Sequence, residues 1–278
     1  MFQQILVPLD GSTASFNALD WAIEIALTQE SSITALCVID ERVAHEAQLY
    51  LPILDEIGVS NEHLAPTELA STYQQWAEGV IDRAEKRASA VRVEIRPEIM
   101  RGIPHEKIVS RCSMHDLLVM GGWKMADDYP GPFLAGSTFW QVVANTELPA
   151  FHVASEPRKI ETILAAYDDN PEAQDALQLA ATWAKVGDLK LVVLTVQSDG
   201  DQAQALLQQA HQRVAPLNPR LIARDGNPGE VIKEIAGQYQ CDLISLGVPP
   251  HRLWQGHSLG SVIDNLVHNG NIPLLLSH

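Results

Sequence analysis

The chain has 278 residues, of which 46% are hydrophobic and 19% charged, a balance typical of a globular protein with a substantial core. This length allows one large domain or two domains of ordinary size. The formal net charge of −16 argues against a nucleic-acid-binding or anionic-membrane surface, because both require clustered lysine and arginine.

The cysteines and the first residues favour a cytoplasmic location. Cys37, Cys112 and Cys241 are odd in number and form no C-x-x-C pair, which fits a reducing compartment. The sequence starts directly with a strand-like segment, and no apolar stretch approaches the roughly 18 residues needed to cross a bilayer. We therefore expect a cytoplasmic protein without a membrane partner.

Apolar runs alternate with helical patterns along the chain. The runs lie at 3–9, 33–39, 92–100, 116–121 and 149–154, and again at 161–167, 189–196, 219–224, 242–247 and 273–277. Continuously apolar strands separated by helices predict a parallel sheet covered by helices on both faces. Each half is therefore predicted to be an α/β, Rossmann-like domain with five strands.

The two halves are copies of one unit. Residues 5–26 align with 163–184 without a gap, RGIPHEKI (101–108) aligns with DGNPGEVI (225–232), and DLLVMG (116–121) aligns with DLISLG (242–247). Repeated motifs in the same order predict a tandem duplication. A polar, proline-containing stretch at 154–161 separates the copies, so we predict domains at 1–155 and 160–278.

The first half carries an additional segment. Its second and third strands are separated by about 50 residues, against about 22 in the second half. We expect a helical insertion at about 41–71, which is either a lid or a surface excursion packed on its own domain or on the other one.

The first strand ends in the sequence PLDGS. A D-x-D-G-T sequence at this place gives haloacid-dehalogenase-type phosphatases their nucleophile, but Pro8 occupies the nucleophile position here and cannot form an aspartyl-phosphate. In parallel sheets, ligands bind beyond the carboxyl ends of the strands. Asp10 and Asp168 lie at such ends, so we expect them to meet a ligand.

A second candidate element follows the fourth strand of the second half. Gly247 ends the strand and Gly260-Ser261 opens a helix. A glycine permits close approach of the backbone and a helix start offers unpaired N–H groups, so a phosphate could bind between Gly247 and Ser261. A capped helix after a turn explains the same residues without a ligand.

These motifs together resemble the universal stress protein family in its tandem, two-domain form. The resembling patterns are P-x-D-G-S, G-x-P-x-E-x-I and a variant of G-x2-G-x9-G-[ST], and they cover almost the whole chain. The resemblance implies a sheet of strand order 3-2-1-4-5 in each domain. In ATP-binding members it further implies adenine and ribose near the first-strand aspartate and the second strand, with phosphates on the glycine loop.

The resemblance favours the second half as the nucleotide site. The residues that it assigns there are Asp168, Val196, Gly226, Gly247, Gly260 and Ser261. Pro250 replaces the second glycine of the loop and removes one N–H donor, for which Arg252 could compensate as a charged partner. Asp169 and Asn170 replace the Gly-Ser pair, which adds a negative charge.

The first half departs from the pattern in the complementary way. Pro8, Asp10, Gly11, Val38 and Gly102 fill the family positions. After Gly121, however, Lys124 takes the place of the second glycine, and eleven residues rather than nine precede Gly136-Ser137. Loops are the variable part of such sites, so we expect weak nucleotide binding or none in this half.

Other chemistries find little support. The ten histidines show no spacing of a structural zinc site, and no hydrolase or Walker A motif is present. Ser137 and Ser261 are better explained as helix starts than as nucleophiles. Four tryptophans could stack on adenine, although aromatic residues near helix starts more often close a core, and Trp254 is the one placed to contact a ligand: Trp123, Trp140, Trp183 and Trp254.

Three functional hypotheses remain. The first is a stress-response regulator that binds an adenine nucleotide, foremost ATP with or without Mg²⁺, mainly in the second domain. The second is a nucleotide-free interaction protein that holds a protein partner or an apolar ligand. The third is a slow ATPase, for which no catalytic base can be named. The halves are expected to pack as a pseudo-dimer, and association of two chains into a homodimer is left open.

Overall fold

The structure, a computed structural model, describes residues 1–42, 66–122, 138–153, 155–248 and 261–278. In the first half the elements are β1 Gln4–Leu9, α1 Thr13–Gln29, β2 Ser32–Asp40, α2 Pro66–Ala90, β3 Ile95–Gly102, α3 Pro104–Cys112, β4 Leu117–Gly121, α4 Thr138–Ala144 and β5 Ala150–Val153. In the second half they are β6 Thr162–Ala166, α5 Pro171–Gly187, β7 Lys190–Val196, α6 Gly200–Val214, β8 Arg220–Arg224, α7 Pro228–Gln238, β9 Leu243–Gly247, α8 Ser261–Asn269 and β10 Leu274–Ser277.

All strands belong to one sheet, in the order β3-β2-β1-β4-β5-β10-β9-β6-β7-β8. Each half contributes five parallel strands in the order 3-2-1-4-5, which confirms the predicted fold of the two units. The halves are joined by antiparallel pairing of β5 with β10, so the two sheets are continuous.

The junction between the halves has pseudo-twofold symmetry. Phe151 pairs with Leu275, and these two residues occupy the same position in the repeat because Pro149 aligns with Pro273. Such a self-complementary contact is the pairing that a symmetric dimer would use. Trp21 of α1 and Trp183 of α5 pack on Phe151, with ring centroids 5.3 and 5.7 Å away. The halves therefore share a hydrophobic core across the junction.

The first helices of the two halves, α1 and α5, show why the repeat is visible in the sequence. Each has 17 residues and begins after a polar N-cap, Ser12 or Asn170, whose side chain accepts a backbone N–H of the first turn. The repeated small residues are buried against the sheet: Ala18, Ala22, Ala26, Ala176, Ala180 and Ala184. Spacing of four residues places them on one face, where their small size permits close packing.

The third strand lies further along the chain than predicted. The prediction was 92–100, whereas β3 spans Ile95–Gly102. The N–H groups of Val91 and Val93 donate to the carbonyl of Ala88, and Arg92 adopts a left-handed conformation with φ of 62°. These residues terminate α2 and cannot begin the strand, because their donors already satisfy the end of the helix.

The predicted insertion at 41–71 falls mostly outside the described residues. Residues 66–71 belong to α2, the helix that connects β2 to β3. Segment 43–65 is not described. Domain boundaries at 155 and 160 stay a prediction. In the described part of the chain, no helix combines the length and apolar character that a bilayer crossing requires.

Candidate functional site at the carboxyl edge

Predicted site residues of the second half meet at the carboxyl edge of its sheet. β6 lies between β7 and β9, so the corner after β6 is flanked by the ends of both neighbours. This arrangement brings together Asp168 after β6, Val196 at the end of β7, Gly226 after β8 and Gly247 at the end of β9. Ser261, the first residue of α8, is exposed.

Several other predicted residues, in the glycine loops of both halves, lie outside the described part of the chain. They are Pro250, Arg252, Trp254 and Gly260 in the second half, and Trp123, Lys124, Gly136 and Ser137 in the first.

The two first-strand corners have the same backbone. Gly11 has φ of 80° and Asp169, at the same repeat position, has φ of 64°. Asp10 Oδ1 accepts hydrogen bonds from the Ser12 N–H at 3.0 Å and the Ser12 hydroxyl at 2.6 Å. Asp168 Oδ2 accepts one from Asn170 Nδ2 at 3.1 Å. Both aspartates are exposed, so each presents a carboxylate at the edge.

The extra carboxylate of Asp169 is engaged by neighbouring side chains. Asp169 Oδ1 accepts hydrogen bonds from the Tyr167 hydroxyl at 2.5 Å and from Gln174 Nε2 at 3.0 Å. Gln174 Oε1 accepts a further bond from Arg213 Nη2 of α6 at 2.7 Å. Burial, followed by the hydrogen bond and charge of Asp169, raises the pKa of Tyr167 to about 12, so its hydroxyl stays protonated and can donate at neutral pH.

Gly121 and Gly247 have a packing role that the sequence did not reveal. A Cβ built on Gly247 would lie 2.5 Å from the carbonyl carbon of Glu172 and 2.6 Å from the nitrogen of Ala173. One built on Gly121 would lie 2.1 Å from the carbonyl oxygen of Ala14. Both glycines thus let the fourth strand touch the first turn of the leading helix. Helix packing therefore already requires glycine at both positions, and their predicted role in nucleotide binding stays a prediction.

The glycines that precede the third helix of each half differ from Gly121 and Gly247, because side chains and not backbone atoms lie next to them. Gly102 and Gly226 have φ of 135° and 131°, which side chains rarely adopt. A Cβ on Gly102 would meet Lys107 Cε at 2.3 Å, so the lysine stem covers this glycine. The equivalent position in the second half is Val231, whose Cγ2 would lie 3.1 Å from a Cβ on Gly226.

The valines at the ends of the second strands, Val38 and Val196, are half-buried and pack against the core.

Pro8 is tolerated inside β1 because β1 pairs with β4 only through Ile5 and Leu6. Its missing N–H therefore falls beyond that ladder.

Charge differs between the two carboxyl edges. In the first half Asp40 forms a bidentate ion pair with Arg42, with the shortest contact at 2.6 Å. Two more cations belong to the neighbouring strand and helix, since Arg101 pairs with Ile39 and Lys107 covers Gly102, the partner of Asp40. The second half carries carboxylates in its corner, after β7 and β8, and in the first turns of α6 and α7: Asp168, Asp169, Asp199, Asp201, Asp225 and Glu230. An anion binding there would need a countercharge.

A buried oxygen at this edge lacks a hydrogen-bond partner among the described residues. Asn265 Oδ1, in the second turn of α8, is buried and has no hydrogen-bond partner among the described residues. Its Cβ and Cγ would lie 3.6 Å from a Cβ placed on Gly229, at the start of α7. Buried polar groups are rarely left unsatisfied, so a water molecule or a ligand group is expected to donate a hydrogen bond to this oxygen.

A cavity of about 820 Å³ has none of the predicted site residues in its lining. It is formed between the amino edge of the first sheet, including Phe2 and His115, and the α5 residues Gln178 and Thr182. Both ring nitrogens of His115 are engaged, Nδ1 with the Arg111 carbonyl and Nε2 with the Thr34 hydroxyl. Within the described residues no group of three or more metal-ligating side chains is found.

The predicted core aromatics Trp140 and Trp183 are buried, which confirms that expectation.

The sequence profile of the universal stress protein family matches residues 1–153 and 198–278. The chain belongs to the universal stress protein family. The unmatched stretch 154–197 of this universal stress protein contains Asp168 and Val196, two residues of the predicted nucleotide corner.

Solved structures share the fold of this universal stress protein over nearly its whole length. A universal stress protein from Archaeoglobus fulgidus has a TM-score of 0.73 at 19% identity, and the match covers 99% of this chain and 95% of that one. A protein of unknown function from Pseudomonas aeruginosa PAO1 has a TM-score of 0.60 at 14% identity, with coverages of 99% and 92%. The comparison with curated proteins gives no match.

Proposed function

We propose that this universal stress protein is a stress-response regulator that binds an adenine nucleotide, ATP with Mg²⁺, mainly in its second half. The observation that carries the proposal is the corner at Asp168. It keeps the backbone of the Asp10 corner and exposes a carboxylate at the edge where parallel sheets bind ligands.

The described residues fit a nucleotide in three ways. The Asp168 carboxylate can accept hydrogen bonds from ribose hydroxyls, and the half-buried Val196 offers an apolar contact for adenine. The start of α8 at Ser261 presents backbone N–H groups and the positive end of a helix dipole for phosphate. The unpartnered Asn265 oxygen supports a ligand at the same edge.

Magnesium is part of the proposal because of the acidic edge. Polyphosphate and the surrounding carboxylates repel each other, and a divalent cation offsets both charges. We therefore expect ATP to bind more weakly when Mg²⁺ is removed with a chelator.

Isothermal titration of ATP with Mg²⁺ into the purified protein tests the proposal. Asp168→Ala is expected to weaken binding at least tenfold, because it removes a charged hydrogen-bond acceptor. Asp10→Ala, the matched change in the first half, should leave the affinity unchanged within twofold. No heat of binding at millimolar ATP would overturn nucleotide binding, and loss of binding in Asp10→Ala alone would move the site to the first half.

The second candidate function is an interaction protein without a nucleotide. The cluster of carboxylates at the second carboxyl edge favours this alternative, since it opposes polyphosphate. Native mass spectrometry of the freshly purified protein separates the two, because a co-purified nucleotide supports the first and a bound apolar molecule or protein supports the second.

A further inference from the structure

Among the substitutions that distinguish the second corner from the first, three are at residues that contact one another. At equivalent repeat positions, Leu9, Gly11 and Phe16 of the first half become Tyr167, Asp169 and Gln174 in the second. Tyr167 and Gln174 both donate hydrogen bonds to Asp169 Oδ1. The half that has the aspartate therefore also has the tyrosine and the glutamine that bind its carboxylate.

The helix that connects the second and third strands, α2 in the first half and α6 in the second, also contacts these positions differently in the two halves. In the first half, Arg83 and Arg87 of α2 lie over the Phe16 ring, 4.8 and 4.6 Å from its centroid. In the second half, Arg213 of α6 instead donates to Gln174 Oε1 at 2.7 Å. An aromatic contact between helices has thus been replaced by a polar chain that runs from α6 to Asp169.

The polar chain also fixes the backbone of the corner. Asp169 is a non-glycine residue with φ of 64°, a conformation that needs support from its surroundings. Gln174 Nε2 donates to the Asp169 carbonyl at 2.9 Å as well as to its carboxylate. Tyr167 is only 2% exposed, so its hydroxyl is held in place by packing. The side chain of Asp169 is thereby held toward Tyr167 and Gln174.

We propose that Tyr167 and Gln174 are positioning residues that bind the Asp169 carboxylate and so allow an anionic ligand to approach the Asp168 corner. This inference rests on the proposed nucleotide site of the second half. It explains how the corner keeps the glycine-type backbone despite an added negative charge. Arg213 of α6 supports both residues, because it donates to Gln174 Oε1 and interacts with the Tyr167 side chain.

Comparison of two ligands isolates this role. Tyr167→Phe removes one donor and leaves the Asp169 carboxylate less well compensated, so affinity for ATP with Mg²⁺ is expected to fall about tenfold. Adenosine carries no phosphate, and its affinity should change less than twofold. Tyr239→Phe is the matched control, because its ring lies beneath Arg220, away from the corner.

A double variant supplies the rescue. Tyr167→Phe combined with Asp169→Gly removes both the donor and the carboxylate and places glycine where φ is positive, so ATP affinity should return to within threefold of wild type. Gln174→Met is an independent, partly exposed change that should lower the ratio of ATP to adenosine affinity in the same direction.

The outcomes separate the inference from the proposed function. Wild-type protein that binds neither ligand overturns the proposed function, and hydrogen exchange of the free protein then decides the inference, since Tyr167→Phe must raise exchange at 168–170 above the Tyr239→Phe control. Wild-type binding together with an unchanged affinity ratio in both Tyr167→Phe and Gln174→Met overturns the inference and leaves the nucleotide site standing.

Discussion

Replacing Gly247 by alanine should destabilise the protein through backbone overlap. The added Cβ would lie 2.5 Å from the Glu172 carbonyl carbon and 2.6 Å from the Ala173 nitrogen, both in the first turn of α5. Backbone atoms cannot rotate away as a side chain can, so the helix or the strand must shift. Overpacking of this kind costs about 1–3 kcal/mol in the free energy of unfolding.

The matched control is Gly237→Ala in the same half. Gly237 lies in α7, and a Cβ there would have no atom within 4 Å, so alanine gains helix propensity without a clash. The expected gain is about 0.5–1 kcal/mol. One substitution type should therefore change stability in opposite directions at the two positions.

Thermal and urea unfolding followed by circular dichroism measure both effects. With about 2–4 °C per kcal/mol for chains of this size class, Gly247→Ala should lower the midpoint by roughly 2–12 °C, and Gly237→Ala should raise it by about 1–4 °C. A Gly247→Ala protein that melts at or above the wild-type temperature would refute the packing explanation and return this glycine to a ligand role.

Three further outcomes are expected. Phe151→Ala should lower the free energy of unfolding by about 3–5 kcal/mol in urea titration, because this fully buried ring lies at the junction of the halves; a loss below 1 kcal/mol would contradict a shared core. Asp242→Ala should cost about 1–3 kcal/mol by the same assay, since its Oδ2 accepts the two N–H groups at the start of β6, and a neutral result would remove that role. Burial raises the pKa of the thiols of Cys37, Cys112 and Cys241, to about 12 for Cys37 and Cys241. The native protein should therefore not react with Ellman's reagent at pH 8, although the unfolded chain does. Fast labelling of the native protein would refute the burial of these thiols.

The repeat made most of the fold predictable. Aligned alanines such as Ala18 and Ala176 lie on the buried faces of equivalent helices, so the signal that revealed the duplication also reports helix packing. Continuous apolar runs identified the strands, because parallel strands covered on both faces have no polar side. The start of β3 was misplaced because Val91 and Val93 look like strand residues but satisfy the end of α2.

The candidate site was less predictable, and the reason is distance along the chain. The sequence indicated that Asp169 adds a charge. It did not indicate how the carboxylate is oriented, because the orientation depends on a contact between Gln174 and Arg213, which are 39 positions apart. The one sequence signal was the joint change of Leu9, Gly11 and Phe16 between the two copies. Gly247 was assigned to a ligand because nothing in its own segment shows that α5 touches it.

The antiparallel pairing of β5 with β10 has an evolutionary consequence. A dimer of identical subunits must carry every substitution twice, and it separates on dilution. Here the partner is covalently attached, so encounter of the halves does not depend on protein concentration. A change in one corner leaves the other unchanged, so one half can acquire Asp169-Asn170 while the other keeps Gly11-Ser12.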